Sequence, residues 1–81
     1  MDERRKKLLF RSQYRGMRET DLLFGAFAKV HIQNFTSDDL TAFEALLDAS
    51  DLDVLDWLTG RVDVPKEYDT SVFARLRDFR P

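Results

Sequence analysis

The chain has 81 residues, of which 43% are hydrophobic and 35% charged, with a net charge of −2 and no cysteine. This length fits one small domain, and the apolar share is too high for a disordered tail. The lack of cysteine excludes disulfides, thiolate nucleophiles and cysteine-bound zinc or iron–sulfur centres.

Charge is unevenly distributed along the chain. Residues 1–18 carry seven Lys or Arg against two acidic residues, residues 19–69 carry three against twelve, and residues 70–81 carry three against one. A basic end beside an acidic body favours electrostatic attraction to a partner protein. The acidic majority would repel phosphate, so nucleic acid is not an expected partner.

The first two helices are predicted on either side of a glycine. Helix 1 covers about residues 2–13 and ends near Gly16, since glycine tolerates the backbone angles of a tight break. Helix 2 covers about residues 18–33, and its Gly25 predicts the close approach of another helix. The buried stripe of helix 2 is predicted as Leu23, Phe27 and Val30, widened by Leu22, Phe24, Ala26 and Ile32.

Three shorter helices are predicted in the second half. Helix 3 begins at the N-cap Thr36 and carries an apolar stripe of Leu40, Phe43, Leu46 and Leu47. Helix 4 begins at the cap Ser50 and ends at Gly60, with Trp57 predicted in the core, and helix 5 covers about residues 70–79. The predicted fold class is all-α, a compact five-helix bundle in which residues 1–81 form a single domain.

No catalytic constellation is visible in the sequence. His31 is the only histidine, and its spacing from Phe24 and Phe27 predicts a structural or surface role. The glycines stand alone rather than in a phosphate-binding loop, so binding of FAD or a nucleotide by this chain is not expected. The carboxylates are explained as helix caps and solvated charges, and neither catalytic residues nor metal ligands are predicted.

The connection between helices 1 and 2 is harder to explain as an ordinary loop. Long cations, an aromatic residue, a methionine and acids surround Gly16, where an exposed turn usually carries small polar residues. Arg15 offers a planar fork of donors for a carboxylate or a flat ring, and Tyr14 and Met17 offer adaptable apolar contact. Two interpretations stay open from this chemistry. Either the connection docks onto a partner protein, or Glu19 merely caps helix 2 and Arg15 is a solvated charge.

Residues 15–19 read Arg-Gly-Met-Arg-Glu and fit the RGxxE signature of the SdhE-type succinate dehydrogenase assembly factors. The stretch of residues 8–12 before this signature and the stretch of residues 51–60 with Trp57 are similar too, so the chain resembles the family over nearly its whole length. Phe10 stands where many members have tryptophan, and Tyr14 where a second arginine is common. Both substitutions keep a large contact group, so we expect an altered fit to the partner rather than lost function.

The resemblance implies a helical assembly factor or chaperone, not an enzyme, that binds the flavoprotein subunit of succinate dehydrogenase and often of fumarate reductase. Such a factor promotes covalent attachment of FAD to a histidine of that subunit, so FAD belongs to the partner and this chain binds no cofactor stably. We hypothesise that Arg15 and Glu19 make charge-assisted contacts with the flavoprotein, and that Gly16 lets the backbone come close. The predicted partner-binding residues are Phe10, Arg11, Tyr14, Arg15, Gly16, Met17, Glu19 and Asp21.

Other functions are weighed against this one. The main alternative is an antitoxin-like or regulatory adaptor that binds a protein without acting on flavin. A second is a peripheral membrane or nucleic-acid binder that uses the basic residues 4–11, whose binding would weaken steeply with salt. We expect a monomer when free, no stable membrane insertion, and a bacterial-type cytoplasmic location. The apolar run of residues 8–10 is too short for a signal peptide, and the early acids do not fit a transit peptide.

Overall fold

Four of the five helices in the computed structural model, which describes residues 1–80, begin at a side chain that caps them. Asp2, Thr36, Ser50 and Thr70 each accept a hydrogen bond from a backbone N–H of the first turn, which satisfies a donor that the helix itself leaves free. The helices are α1 (Glu3–Gln13), α2 (Arg18–His31), α3 (Ser37–Asp48), α4 (Asp51–Leu58) and α5 (Ser71–Asp78). Two 3₁₀ turns (Ile32–Asn34 and Lys66–Tyr68) complete the described part of the chain, which contains no strand, so the all-α prediction is confirmed.

The core lies where α2, α3 and α5 meet. Phe27 is its centre, with ring centroids 6.0 Å from Phe43, 6.0 Å from Phe35 and 5.5 Å from Phe79. Each large apolar side chain buried completely contributes roughly 1.5–3 kcal/mol relative to exposure. The buried apolar residues are Leu8, Phe24, Phe27, Ala28, Ile32, Phe35, Leu40, Phe43, Leu46, Leu47, Val54, Val72, Phe73 and Leu76.

The predicted stripe of α2 was wrong at its edges. Val30 is 59% exposed, Leu22 is 60% exposed and Leu23 is only half-buried. Phe24 and Phe27 are buried as predicted, together with Thr20, Gly25 and Ala28, because the helix packs with this face against its neighbours and leaves the other apolar face in solvent. Apolar residues surround most of α2, so periodicity alone did not select the face.

Two further details differ from the sequence prediction. The α-helix ends at His31 and tightens into the turn Ile32–Asn34, which brings Phe35 into the core. Trp57 is half-buried at the edge of the core and not at its centre, and its ring stacks on that of Tyr68 with centroids 4.7 Å apart.

The close approach expected at Gly25 is confirmed, and α1 is the neighbour. A Cβ at this position would lie 3.3 Å from Gln13 Cγ and 3.8 Å from Gln13 Cα. The end of α1 therefore rests directly on the backbone of α2. Ser12 is buried beside this contact and donates its hydroxyl to the carbonyl of Leu9 at 2.6 Å. This packing determines where the chain leaves α1 and enters the connection to α2.

Candidate docking site

The four residues between α1 and α2, residues 14–17, form a short connection that we call the docking loop. Gly16 has φ +95°, a backbone region that L side chains rarely adopt, and a Cβ there would have no heavy atom within 4 Å. Asp21 accepts the backbone N–H of Arg15 at 2.5 Å, and Thr20 donates its hydroxyl to the carbonyl of Met17 at 3.0 Å. These two bonds tie the loop to the first turn of α2, and Gly16 faces solvent.

The Arg15 side chain points into the protein. It is 6% exposed, and its guanidinium lies 4.6 Å from the centre of the Phe24 ring. Its Nε donates to Asp51 Oδ1 at 2.7 Å, its Nη1 to the carbonyl of Leu47 at 2.8 Å and its Nη2 to the carbonyl of Ala49 at 3.1 Å. The side chain thus satisfies carbonyls that the end of α3 leaves free. Arg15 is neither a solvated charge nor an exposed cation available to a partner in this conformation.

In contrast to the buried side chain of Arg15, the aromatic side chains at the start of the loop are exposed to solvent. Phe10 is 64% exposed and Tyr14 67% exposed, and their ring centroids lie 4.7 Å apart at an interplanar angle of 38°. Phe10 lies in the last turn of α1 and Tyr14 is the C-cap that follows it, so the two rings are neighbours at the end of this helix. We call this pair the aromatic ridge. Exposed aromatic residues of this kind often anchor protein interfaces, because they bury large area with few rotatable bonds.

An open groove of about 360 Å³ runs along one side of the aromatic ridge. Arg11 stands at this groove and pairs with Asp48 at 2.5 Å and with Glu44 at 3.9 Å, which leaves its side chain 41% exposed. The remaining lining comes from Phe10, Tyr14, Arg15, Leu47, Ala49 and Asp51. The groove therefore combines apolar walls with both signs of charge, a composition suited to recognising a protein surface.

The acidic residues predicted for the site differ in exposure. Glu19 lies exposed in the first turn of α2 and has neither a side-chain hydrogen bond nor an ion pair within residues 1–80. Asp21 is half-buried and engaged by the Arg15 amide. Met17 is half-buried and serves as the N-cap of α2 without a side-chain cap bond. Glu19 is consequently the carboxylate of this segment that is free to meet a partner cation.

The eight predicted site residues lie in the last turn of α1, in the docking loop and in the first turn of α2, and they divide into two groups. The exposed or half-exposed group, which we call the docking face, consists of Phe10, Arg11, Tyr14, Gly16, Met17 and Glu19. Arg15 and Asp21 form the support beneath the loop. Sequence reasoning missed Asp51, the acidic partner of Arg15, because 36 residues separate the two and Asp51 reads as an ordinary first-turn acid.

Features outside the docking face have structural explanations. The His31 ring lies 4.7 Å from Phe27 and 5.8 Å from Phe79, in agreement with a structural role. Among the basic residues 4–11, Arg4 pairs with Glu44 and Arg5 donates to the carbonyls of Ile32 and Phe35, so these two arginines serve the fold. Between residues 1 and 80, none of the helices combines the length and the apolar character needed to cross a bilayer.

Comparison with known proteins relates this geometry to a family. The model of the Sdh5 family, described as flavinator of succinate dehydrogenase, matches residues 6–80. The chain is 40% identical over 72 residues to succinate dehydrogenase assembly factor 2, mitochondrial, of Dictyostelium discoideum, with 89% of this chain and 51% of that protein covered. It is 36% identical over 80 residues to assembly factor 2-A, mitochondrial, of Drosophila sechellia, with 96% and 49% covered.

A bacterial protein is also similar. The FAD assembly factor SdhE of Acetobacter pasteurianus is 38% identical over 73 residues, which cover 90% of this chain and 67% of that protein. The chain spans about half the length of the two mitochondrial relatives. The family match over residues 6–80 nevertheless includes α1 from residue 6 onward, all of α2 to α5, and the whole docking face. The chain therefore belongs to the Sdh5 family of succinate dehydrogenase flavinators.

Proposed function

We propose that this protein is an assembly factor that docks onto the flavoprotein subunit of succinate dehydrogenase and promotes covalent attachment of FAD. The observation that carries the proposal is the docking face, in which two exposed aromatic rings and the unpaired Glu19 flank a loop of defined conformation. Membership of the flavinator family supports the same partner. The flavoprotein of fumarate reductase is a second partner under this proposal.

The proposed mechanism is positioning rather than catalysis by this chain. FAD and the histidine that receives it both belong to the flavoprotein, and the docked factor holds them in the arrangement in which the bond forms. Holding reacting groups in the correct geometry lowers a barrier substantially without a catalytic side chain. Under this proposal the chain is not an enzyme and binds no cofactor stably.

Four residues of the docking face, and Arg15 beneath the loop, have roles in this mechanism. Phe10 and Tyr14 insert as apolar anchors, since aromatic residues dominate binding energy at interface centres. Glu19 meets a cationic side chain of the flavoprotein through a charge-assisted bond. Gly16 allows close backbone approach, because its Cα faces open space. Arg15 acts indirectly in this scheme, and its role moves from direct contact to support of the loop.

The remaining expectations concern location and assembly state. A monomer when free, with no stable membrane insertion, stays a prediction. A bacterial-type cytoplasmic location also stays a prediction, because the Dictyostelium and Drosophila relatives are named as mitochondrial proteins and the Acetobacter relative is not.

The test is in-gel flavin fluorescence of the denatured flavoprotein from cells with and without this gene. Covalent FAD survives denaturation, whereas unlinked FAD is lost. We expect the fluorescent band to fade on deletion, to return with the wild-type gene, and to stay weak with Glu19→Ala. The matched control is Asp38→Ala, which removes an exposed acid from the first turn of α3, away from the docking face.

One outcome would contradict the proposed function, and a second would contradict the role of Glu19 in it. A band unchanged by deletion would mean that FAD attachment is not the task of this protein, and an adaptor or antitoxin-like role would then be favoured. Equal rescue by wild type and Glu19→Ala would leave the function standing but remove Glu19 from the contact.

A further inference from the structure

Asp51 lies outside the RGxxE segment, yet it is the side chain that reaches the docking loop from the other half of the molecule. We propose that Asp51 is a positioning residue that keeps the docking loop in its docking-competent conformation through Arg15. This inference rests on the proposed function, since it concerns how the same loop is prepared for the flavoprotein.

The geometry around Asp51 supports this role. Its Oδ1 accepts from Arg15 Nε at 2.7 Å and lies 2.5 Å from Nη2, and its side chain is 19% exposed. Charge-assisted bonds in such part-buried positions are among the stronger polar contacts in proteins. Because Asp51 belongs to the first turn of α4, the pair ties the loop between α1 and α2 to the junction of α3 and α4.

The loop has few other long-range attachments. Thr20 and Asp21 hold it from within α2, only a few residues away along the chain. Across the molecule, the side-chain hydrogen bonds that reach residues 14–17 within the described residues all run through the Arg15 guanidinium, to Asp51, Leu47 and Ala49. Met17 provides no side-chain cap for α2. Without the carboxylate of Asp51 the loop would depend on α1, α2 and two neutral acceptors.

If Asp51 acts by positioning the docking loop, its loss has a characteristic effect on the binding kinetics. If only a fraction of free molecules holds the competent loop, the association rate and the apparent affinity fall in proportion to that fraction. The dissociation rate stays constant, because in the complex the partner itself holds the loop in its docking-competent conformation. A side chain that touches the partner directly behaves differently, since its loss mainly accelerates dissociation.

The test compares Asp51→Ala and Asp51→Asn with Asp53→Ala in binding kinetics with the purified flavoprotein subunit. Asp53 lies exposed in the same helical turn and has no side-chain hydrogen bond or ion pair within residues 1–80. Asp53→Ala therefore removes the same charge as Asp51→Ala without breaking a contact. We expect Asp51→Ala to slow association about tenfold. Exposed loops open at a low free-energy cost, so the loss of one strong bond strongly lowers the fraction of molecules with a competent loop. Asp51→Asn keeps one neutral acceptor and should show a smaller decrease. Asp53→Ala should match wild type.

Two further readouts separate positioning from general destabilisation. In a titration of FAD attachment against assembly factor, the half-saturating concentration should rise by the same factor while the plateau rate is kept. Hydrogen exchange of the loop amides should accelerate in Asp51→Ala, at a temperature at which circular dichroism shows each variant folded. Should Asp51→Ala fail to fold, Asp51→Asn carries the comparison.

Several results would overturn the inference. Wild-type association and loop exchange in the Asp51 variants would show that the loop does not need this contact. Unchanged association with faster dissociation would make Asp51 a direct contact residue. Tighter docking would mean that the pair must open on binding. Failure of the wild-type chain to bind the flavoprotein would instead overturn the proposed function, which distinguishes the two claims.

Discussion

Two connections of this protein contain a glycine at positive φ, and they are supported in different ways. The docking loop has Gly16 at +95°, and the connection between α4 and α5 has Gly60 at +77°, both with open space where a side chain would project. The first is attached through the buried guanidinium of Arg15. The second relies on local backbone bonds, such as Val62 N–H to the carbonyl of Asp56 at 3.2 Å, and on the stack of Trp57 with Tyr68.

The difference shows what a functional loop requires beyond a turn. Each connection has an arginine next to its glycine, but Arg61 is 80% exposed and its Nε lies 3.9 Å from Asp56 Oδ1. A contact of that length and exposure contributes little, whereas a buried fork with several acceptors restricts the loop to one conformation. The docking loop is therefore held from a distant part of the chain, while the other connection folds by local contacts.

The largest expected effect is on the free energy of unfolding, and it distinguishes Arg15 from Arg61. Arg15→Met should lower the free energy of unfolding by roughly 3 kcal/mol, because Asp51 and two carbonyls then lose their buried partner. Arg61→Met should change it by less than about 0.5 kcal/mol, as for ordinary surface substitutions. Urea unfolding followed by circular dichroism measures both. Equal effects would contradict the distinction between the two connections.

The next effect compares the two glycines. Gly16→Arg and Gly60→Arg should each lower the free energy of unfolding by about 1–2 kcal/mol, since both force a side chain into a left-handed backbone region. Only Gly16→Arg should weaken binding of the flavoprotein, on the order of a hundredfold, because its side chain would project where the partner approaches. Pull-down and calorimetry with the purified flavoprotein subunit measure the difference.

Gly60→Arg is the matched control in that experiment, because it carries the same strain and the same charge at a remote turn. A folded Gly16→Arg variant that captures the flavoprotein as strongly as wild type does would remove Gly16 from the docking face.

The smallest effect concerns a local contact at the start of α3. The backbone N–H of Thr36 donates to Asp39 and lowers the pKa of that carboxyl below its usual 3.8, an effect that burial opposes and the nearby Arg75 reinforces. Because the folded pKa is depressed, the stabilisation is present above the unfolded value and is lost as pH falls through the folded one. Asp39→Asn should therefore cost about 1 kcal/mol at pH 7, and this difference from wild type should shrink once the pH falls below the folded pKa.

Urea unfolding of wild type and Asp39→Asn at neutral and acidic pH measures that change, with the exposed neighbour Asp38→Asn as control. A difference between wild type and Asp39→Asn that does not vary with pH would mean that the carboxylate charge is not the source of the stability.

Most of the helices were predictable because their signals are local. The caps Thr36 and Ser50 are confirmed, and Leu40, Phe43, Leu46 and Leu47 form the buried stripe of α3 as predicted. Such signals lie within one turn of the position that they determine. The face of α2 was not predictable in this way, because Val30 and Leu22 are as apolar as the residues that are buried.

The candidate site was also predictable only in part. The residues of the docking loop were recognisable in the sequence, since an aromatic residue, arginines and acids around a glycine are unusual for a solvated turn. Which of them face solvent was not, and Arg15 lies inside where an exposed cation was expected. The direction of a long side chain depends on acceptors from elsewhere in the chain, here at Leu47, Ala49 and Asp51.

The sequence by itself therefore determined the number and approximate extent of the helices, the all-α class, the position of the docking loop and the resemblance that the family match confirms. Only the tertiary structure decided which face of α2 is buried, that Phe10 and Tyr14 form an exposed ridge, and that Arg15 supports the loop from below. The reason is physical. Caps and turns depend on neighbours along the chain, whereas burial and ion pairing depend on groups that meet only when the helices pack.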